Sequence, residues 1–268
     1  MTAWRAGTVP VTGGFLAYHR TGGDLPPLVL SHGLTDNGLC WARMACALEA
    51  EFDVVMLDAR GHGDSARPSS TEPHDPVRDI TEAVEALGLV SPVMMGHSVG
   101  ARATAAYANA CSARIAKVIL EDPPFLPLAD AATSAARGQK FREEVGRLQA
   151  MSEAEIVALG RSRHPNWSPA DLPAWAAAKL QVDPEAMPTY TTVWQAEIDR
   201  ISVPTLLIHG DPEFGSLISP AIAAEAMSLN PRIVAARVAG AGHNVRRENF
   251  AQYLAAVQEF LRSPQHHG

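Results

Sequence analysis

Short, continuously apolar runs recur along the chain and each ends on a polar or glycine-containing turn. They cover residues 28–31 before His32-Gly33, Asp53–Leu57 before Asp58, and 93–95 before Gly96. Further runs cover 117–120 before Glu121-Asp122, 205–208 before His209-Gly210, and 233–238. Runs of three to six residues without alternation suit parallel strands buried on both faces. Between them, residues 80–87 and 99–110 place apolar side chains at helical spacing and are rich in good helix formers. Phe250, Tyr253, Leu254, Val257, Phe260 and Leu261 fall three or four apart, which predicts a closing helix with one apolar stripe. Strands alternating with helices predict a mostly parallel, doubly wound α/β sheet joined by right-handed crossovers.

The pattern changes at Pro123. From there to about residue 199 the strand-like runs stop, and Pro165, Pro169, Pro173, Pro184 and Pro188 punctuate short helical stretches. Ser152-x-x-Glu155 is a capping box that opens one of them. The expected division is therefore a core of residues 1–122 and 200–268 with a helical insertion at 123–199. Trp167, Trp175 and Trp194 lie in the insertion and either pack on one another or line a pocket, as does Phe125 near its start.

Composition narrows the function. Acidic residues outnumber basic ones 29 to 22, a net charge of −7, which argues against a nucleic-acid partner. The 47% hydrophobic content supports a large core. No apolar run reaches the roughly 18 residues of a membrane span, and the N-terminus lacks the apolar stretch of a secretory signal. Cys40, Cys46 and Cys111 are odd in number and lack Cys-x-x-Cys spacing, so no disulfide framework is expected and the expected address is cytoplasmic. The histidines show no His-Glu-x-x-His spacing, and neither metal nor cofactor is expected.

The strongest chemical signal is Gly96-His97-Ser98-Val99-Gly100, set after an apolar strand and before an Ala-rich helix. A serine on such a sharp turn presents its hydroxyl at the edge of a sheet, with flanking glycines allowing close backbone approach. A hydroxyl needs a base to become a nucleophile. His243, in the glycine-rich Ala239-Gly240-Ala241-Gly242-His243-Asn244 loop after the last strand, is the candidate. His19, His74 and His164 sit in polar stretches and are expected to be solvated, and the Gln265-His266-His267 tail is expected to be disordered.

With these residues in place, nearly the whole chain resembles the α/β-hydrolase superfamily. The resemblance implies an α/β-hydrolase fold with a helical cap. It implies that His32-Gly33 belongs to an oxyanion loop in which the Leu34 and Val99 amides are the donors, each worth roughly 3 kcal/mol of barrier. Asp58-Ala59-Arg60-Gly61-His62-Gly63-Asp64-Ser65 matches a turn of the family and reads as architecture; His32 and His62 are structural or at the pocket edge. The family usually carries its acid after the penultimate strand. Counting from Gly210 reaches Glu213, with Asp211 an equally acceptable carboxylate, whereas counting back from Ile218-Ser219-Pro220 reaches Ser216. Some members hold the acid at the end of the strand after the nucleophile helix, where this chain has Asp122. Glu213 is the first choice, with Asp122 and Asp211 as alternatives.

The function expected from these features is cofactor-free serine hydrolysis of a small, partly apolar ester or lactone, with the pocket drawn from His32, Phe125, Trp167, Trp175 and Trp194. The negative net charge favours a neutral substrate. Amide, carbamate, thioester or C–C bond hydrolysis are the alternatives on the same fold, and a ligand-binding receptor with an inert hydrolase shell is the alternative of another class. Oligomeric state is not legible in the sequence.

Overall fold

A computed structural model describes residues 4–69 and 75–263; the expectations for His74 and for the Gln265-His266-His267 tail fall outside the described residues. The chain opens on an antiparallel hairpin, β1 (Arg5–Val11) and β2 (Gly14–Arg20), turning at Gly13. Its strands escape the apolar pattern because they lie at the sheet margin and bury only some of their side chains, among them Val9, Val11, Leu16 and Ala17. The six apolar runs form β3 (Pro27–Ser31), β4 (Asp53–Leu57), β5 (Val93–His97), β6 (Lys117–Glu121), β7 (Thr205–His209) and β8 (Ile233–Arg237). All eight strands make one sheet in the order β1-β2-β4-β3-β5-β6-β7-β8, parallel from β4 onward.

Helices cover both faces. The flanking elements are α1 (Ala42–Leu48), α2 (Pro76–Ala86) and α3 (Val99–Cys111). The α2 helix starts earlier than its apolar pattern because Asp75 accepts from the amides of Val77 and Arg78 and Pro76 opens the first turn. Alternate strand residues point to opposite faces. Val29, Val55, Met94, Val118 and Leu207 pack with residues of α2 and α3 on one side. Leu28, Val54, Met95, Ile119 and Leu206 pack on the other with residues of α1 and of the C-terminal segment.

Between β6 and β7 the chain forms α4 (Ala131–Gln149), α5 (Glu153–Arg163) and α6 (Leu172–Gln181), with no strand among them. Ser152 and Glu155 make both bonds of the capping box. Ile156, Trp167, Leu172, Trp175 and Ala176 bury one another in a small cluster of their own. The ends of the 123–199 stretch behave differently: Phe125, Trp194 and Ile198 belong to the core under the sheet. After β7 follow α7 (Pro220–Leu229), the short α8 (Val245–Glu248) and α9 (Phe250–Arg262), the expected closing helix. Among the described residues no helix is long and apolar enough to cross a membrane.

This topology gathers chemistry at one edge. His32 follows β3, Ser98 follows β5, Asp122 follows β6, Gly210 follows β7 and the His243 loop follows β8. In a parallel sheet these are all carboxyl ends, where open α/β folds place their ligands.

Candidate active site

Ser98 sits between β5 and α3 with φ 53° and ψ −123°, a left-handed backbone that a non-glycine residue adopts only when its surroundings impose it. The two glycines of the motif explain how. A Cβ on Gly96 would lie 2.5 Å from the Gly100 carbonyl oxygen, and one on Gly100 would lie 2.6 Å from the Ser31 carbonyl oxygen. Only bare backbone lets α3 start so close to β3 and β5. The Ser98 amide donates to the Glu121 carbonyl at 2.8 Å, which ties the turn to the end of the next strand.

His243 Nε2 accepts from the Ser98 hydroxyl at 3.0 Å, and its Nδ1–H donates to Asp122 Oδ2 at 2.6 Å. Asp122 is wholly buried. Its remaining lone pairs accept from Ser216 Oγ at 2.6 Å, the Leu217 amide at 2.8 Å and the Ile218 amide at 3.1 Å. A buried carboxylate with four donors is fully satisfied. Its φ of 43° swings the side chain out of the β6 direction toward His243.

The carboxylate beside His243 is therefore Asp122, not the first-choice Glu213. Glu213 is exposed in a single 3-10 turn after β7, and its side chain takes no part in the bonds around His243. Asp211 is buried but engaged elsewhere, accepting from Arg237 Nε and, at 2.8 Å, from the Gly240 amide. Ser216, reached by counting back from Ile218, stands beside the acid and hydrogen-bonds to it.

The remaining histidines of the site are architectural. His32 accepts the Ala59 amide on Nε2 at 2.9 Å and donates from Nδ1 to the Gly33 carbonyl at 2.8 Å, linking β3 to the Asp58 turn. Burial lowers its pKa to about 4, so it is neutral. His62 Nε2 donates to the Leu34 carbonyl and so holds the loop that carries the Leu34 amide. His97, a variable position of the motif to which the sequence attaches no role, donates from Nε2 to the His243 carbonyl at 3.0 Å. Burial pushes its pKa well below the ordinary value. It thus fixes the loop of the histidine that faces its neighbour Ser98.

A cavity of about 240 Å³ opens onto Ser98 and His243. Leu34 lines it from the β3 loop; Trp167, Trp175, His164 and Arg163 line it from the helical segment. Val99 opens α3, whose first-turn amides lack intrahelical acceptors. Two of the aromatic residues expected in a pocket are elsewhere: Phe125 and Trp194 stack at 4.7 Å inside the core and line no part of this cavity. Neither does His32, which faces a neighbouring cavity. His164, expected to be solvated, is half-buried and stacks on Trp167 at 4.0 Å. Its neighbour Trp167 could not be separated from a self-packing residue by spacing alone; it does both, being part of the helical segment's own cluster and of the cavity wall.

A family model for the alpha/beta hydrolase family matches residues 28–256. The chain belongs to the alpha/beta hydrolase family. Among curated relatives of this hydrolase, N-formylmaleamate deformylase of Pseudomonas putida is 28% identical, covering 96% of the chain and 97% of the relative. The 2-(acetamidomethylene)succinate hydrolase of Mesorhizobium japonicum is 26% identical, covering 90% of each. The crystal structure of the enol-lactonase from Burkholderia xenovorans LB400 superposes with a TM-score of 0.74 at 24% identity, over 96% of the chain and all of that structure, a likeness of fold. The mostly parallel eight-stranded sheet of this α/β hydrolase is the family's fold.

Proposed function

We propose that this α/β hydrolase is a cofactor-free, cytoplasmic serine hydrolase that cleaves a small, partly apolar ester or lactone through an acyl-enzyme on Ser98. The observation that carries the reading is the unbroken chain of bonds from Ser98 to His243 to Asp122, 3.0 and 2.6 Å long. His243 Nε2 takes the hydroxyl proton as Ser98 Oγ attacks the carbonyl carbon, while Asp122 holds the Nδ1–H tautomer and stabilises the imidazolium that forms. The oxyanion rests on the Leu34 and Val99 amides, aided by the positive end of α3. His243 then protonates the leaving alcohol, and water repeats the sequence to release the acid and restore Ser98. Residues 123–199 act as the cap, with Trp167 and Trp175 shaping the pocket above the serine.

Amide hydrolysis by the same residues is the second reading. It is favoured by the two long relatives, a deformylase of an N-formyl compound and a hydrolase of an acetamido compound. A fluorophosphonate probe tests both readings: it should label the protein at Ser98 and abolish turnover of a chromogenic ester such as 4-nitrophenyl acetate. The Ser98→Ala protein should neither label nor turn over. Retention of a tenth of the rate in Ser98→Ala would overturn the nucleophile assignment, and stoichiometric binding without turnover would favour the receptor.

A further inference from the structure

The cavity over Ser98 has a charged wall that the acyl-transfer chemistry does not use. From α6 and α8, Lys179, Arg246 and Arg247 converge on one carboxylate, Asp36, at 3.4, 3.1 and 2.9 Å. Arg246 also pairs with Glu121 at 3.0 Å. Every side chain in this group is at most 5% exposed. Three buried cations thus share two buried carboxylates. Glu248 accepts from the amides of Gly242 and Asn244 and lines no part of the cavity. Glu144, the other carboxylate in the wall, is half-buried and already paired with Arg147 at 2.6 Å.

Two of the cations that line the cavity have unused donors. Arg247 spends Nη1 on Asn244 and Nη2 on Asp36, but its buried Nε–H meets no acceptor. Arg163, the last residue of α5, is exposed and forms no ion pair with any described residue. Lys179, by contrast, is engaged with Thr35 and Asp36. The faces of Trp167 and Trp175 lie under Arg247 and Lys179, 4.9 and 4.7 Å away, which steadies the cations without supplying an acceptor. A buried guanidinium N–H without a partner is costly, and the planar fork of arginine matches a carboxylate.

We propose that Arg163 and Arg247 bind a carboxylate carried by the substrate, so that Ser98 attacks an ester or amide carbonyl on a molecule that is itself an anion, such as the half-ester of a dicarboxylic acid. The inference rests on the serine-hydrolase reading and names its substrate class. The net charge of −7 points toward a neutral substrate, but the charge that a bound molecule meets is that of this wall, and its sign is opposite.

Mono-ethyl succinate and diethyl succinate share the same scissile ester and differ by one charge, so their kcat/KM values test the site. The half-ester is expected to be preferred at least tenfold at low salt, mainly through KM. Arg163→Gln should reduce that preference about tenfold, the size of one charge-assisted hydrogen bond. Equal values, a preference for the diester, or an unmoved ratio in Arg163→Gln would overturn the proposal. Arg247→Gln leaves Asp36 short of a buried partner and risks misfolding, so the exposed Arg163 carries the test. Should neither ester turn over, calorimetry on the Ser98→Ala protein decides: succinate should bind more tightly than succinamide, and adding Arg163→Gln should weaken succinate about tenfold. No preference for succinate sinks the anion site. A protein that labels with fluorophosphonate yet shows no anion preference loses this inference alone, whereas one that binds succinate but never labels loses the hydrolase reading alone.

Discussion

Ser216 donates its hydroxyl to Asp122 at 2.6 Å, from the loop after β7 in which members of the family usually carry the acid itself. In this chain the loop supports a carboxylate that belongs to the neighbouring strand. Ser216→Ala removes one of four donors to a buried anion, and the expected cost is roughly 1–3 kcal/mol of stability. The kcat for ester hydrolysis should fall less than about tenfold with KM little changed, because His243 and the two amides still hold Asp122 in place. Denaturant titration and steady-state kinetics read both; an unaltered stability would remove Ser216 from this supporting role.

The three candidate carboxylates should separate sharply. Asp122→Asn is expected to lower kcat by roughly 10³–10⁴, as loss of the orienting acid does in serine-protease triads. Glu213→Gln should stay within about twofold of the parent. Asp211→Asn should weaken the protein by loosening Arg237 and the Gly240 turn, with kcat nearly preserved. A collapse of kcat in Glu213→Gln would reverse the assignment.

Acid should destabilise the fold through its buried, neutral histidines. Burial holds His32 near pKa 4 and His97 well below its ordinary value, so the unfolded chain binds more protons than the folded one between about pH 4 and 6.5. The stability is therefore full above about pH 6.5 and is lost as the pH falls through that window, by about 3 kcal/mol for His32 alone. Urea midpoints at pH 7.5, 6 and 5 should decline in that order, and His32→Gln should flatten the decline. A midpoint that rises on acidification contradicts the neutral, buried state of both rings.

Arg102 and Glu197 form a buried pair at 2.8 Å that joins α3 to the segment before β7. Arg102→Met strands Glu197, and a loss of roughly 3–5 kcal/mol is expected. The double variant Arg102→Met/Glu197→Met removes both charges and should recover most of that loss. A double variant no better than the single one would show that packing, not the stranded charge, dominates.

What was legible in the sequence divides along a physical line. Strands buried on both faces, the elbow around Ser98 and the capping box at Ser152 are specified by neighbours in the chain, so periodicity and motif find them. The β1–β2 hairpin is half-exposed and carries no continuous apolar run, so it escapes the same test. The acid was uncertain because Glu213, Asp211 and Asp122 are all strand-end carboxylates, and register across the sheet decides among them: His97 pairs with Glu121, which sets Asp122 beside Ser98. The Asp36 network was invisible because its cations lie more than 140 residues away along the chain. Trp194 and Phe125 look like pocket residues by composition, yet the core claims them through mutual stacking.

Ser98 and Asp122 both belong to the single β5-α3-β6 unit, while His243 arrives from 121 residues beyond the acid. During synthesis from the N-terminus, two of the three groups are in the chain long before His243 is added. On the proposed serine-hydrolase reading, Ser98 gains its base only once the C-terminal third has docked and His97 has caught the His243 carbonyl. Reactivity toward a fluorophosphonate is then expected to report the docking of the His243 loop onto Ser98, the one contact that joins the two ends of the triad along the chain.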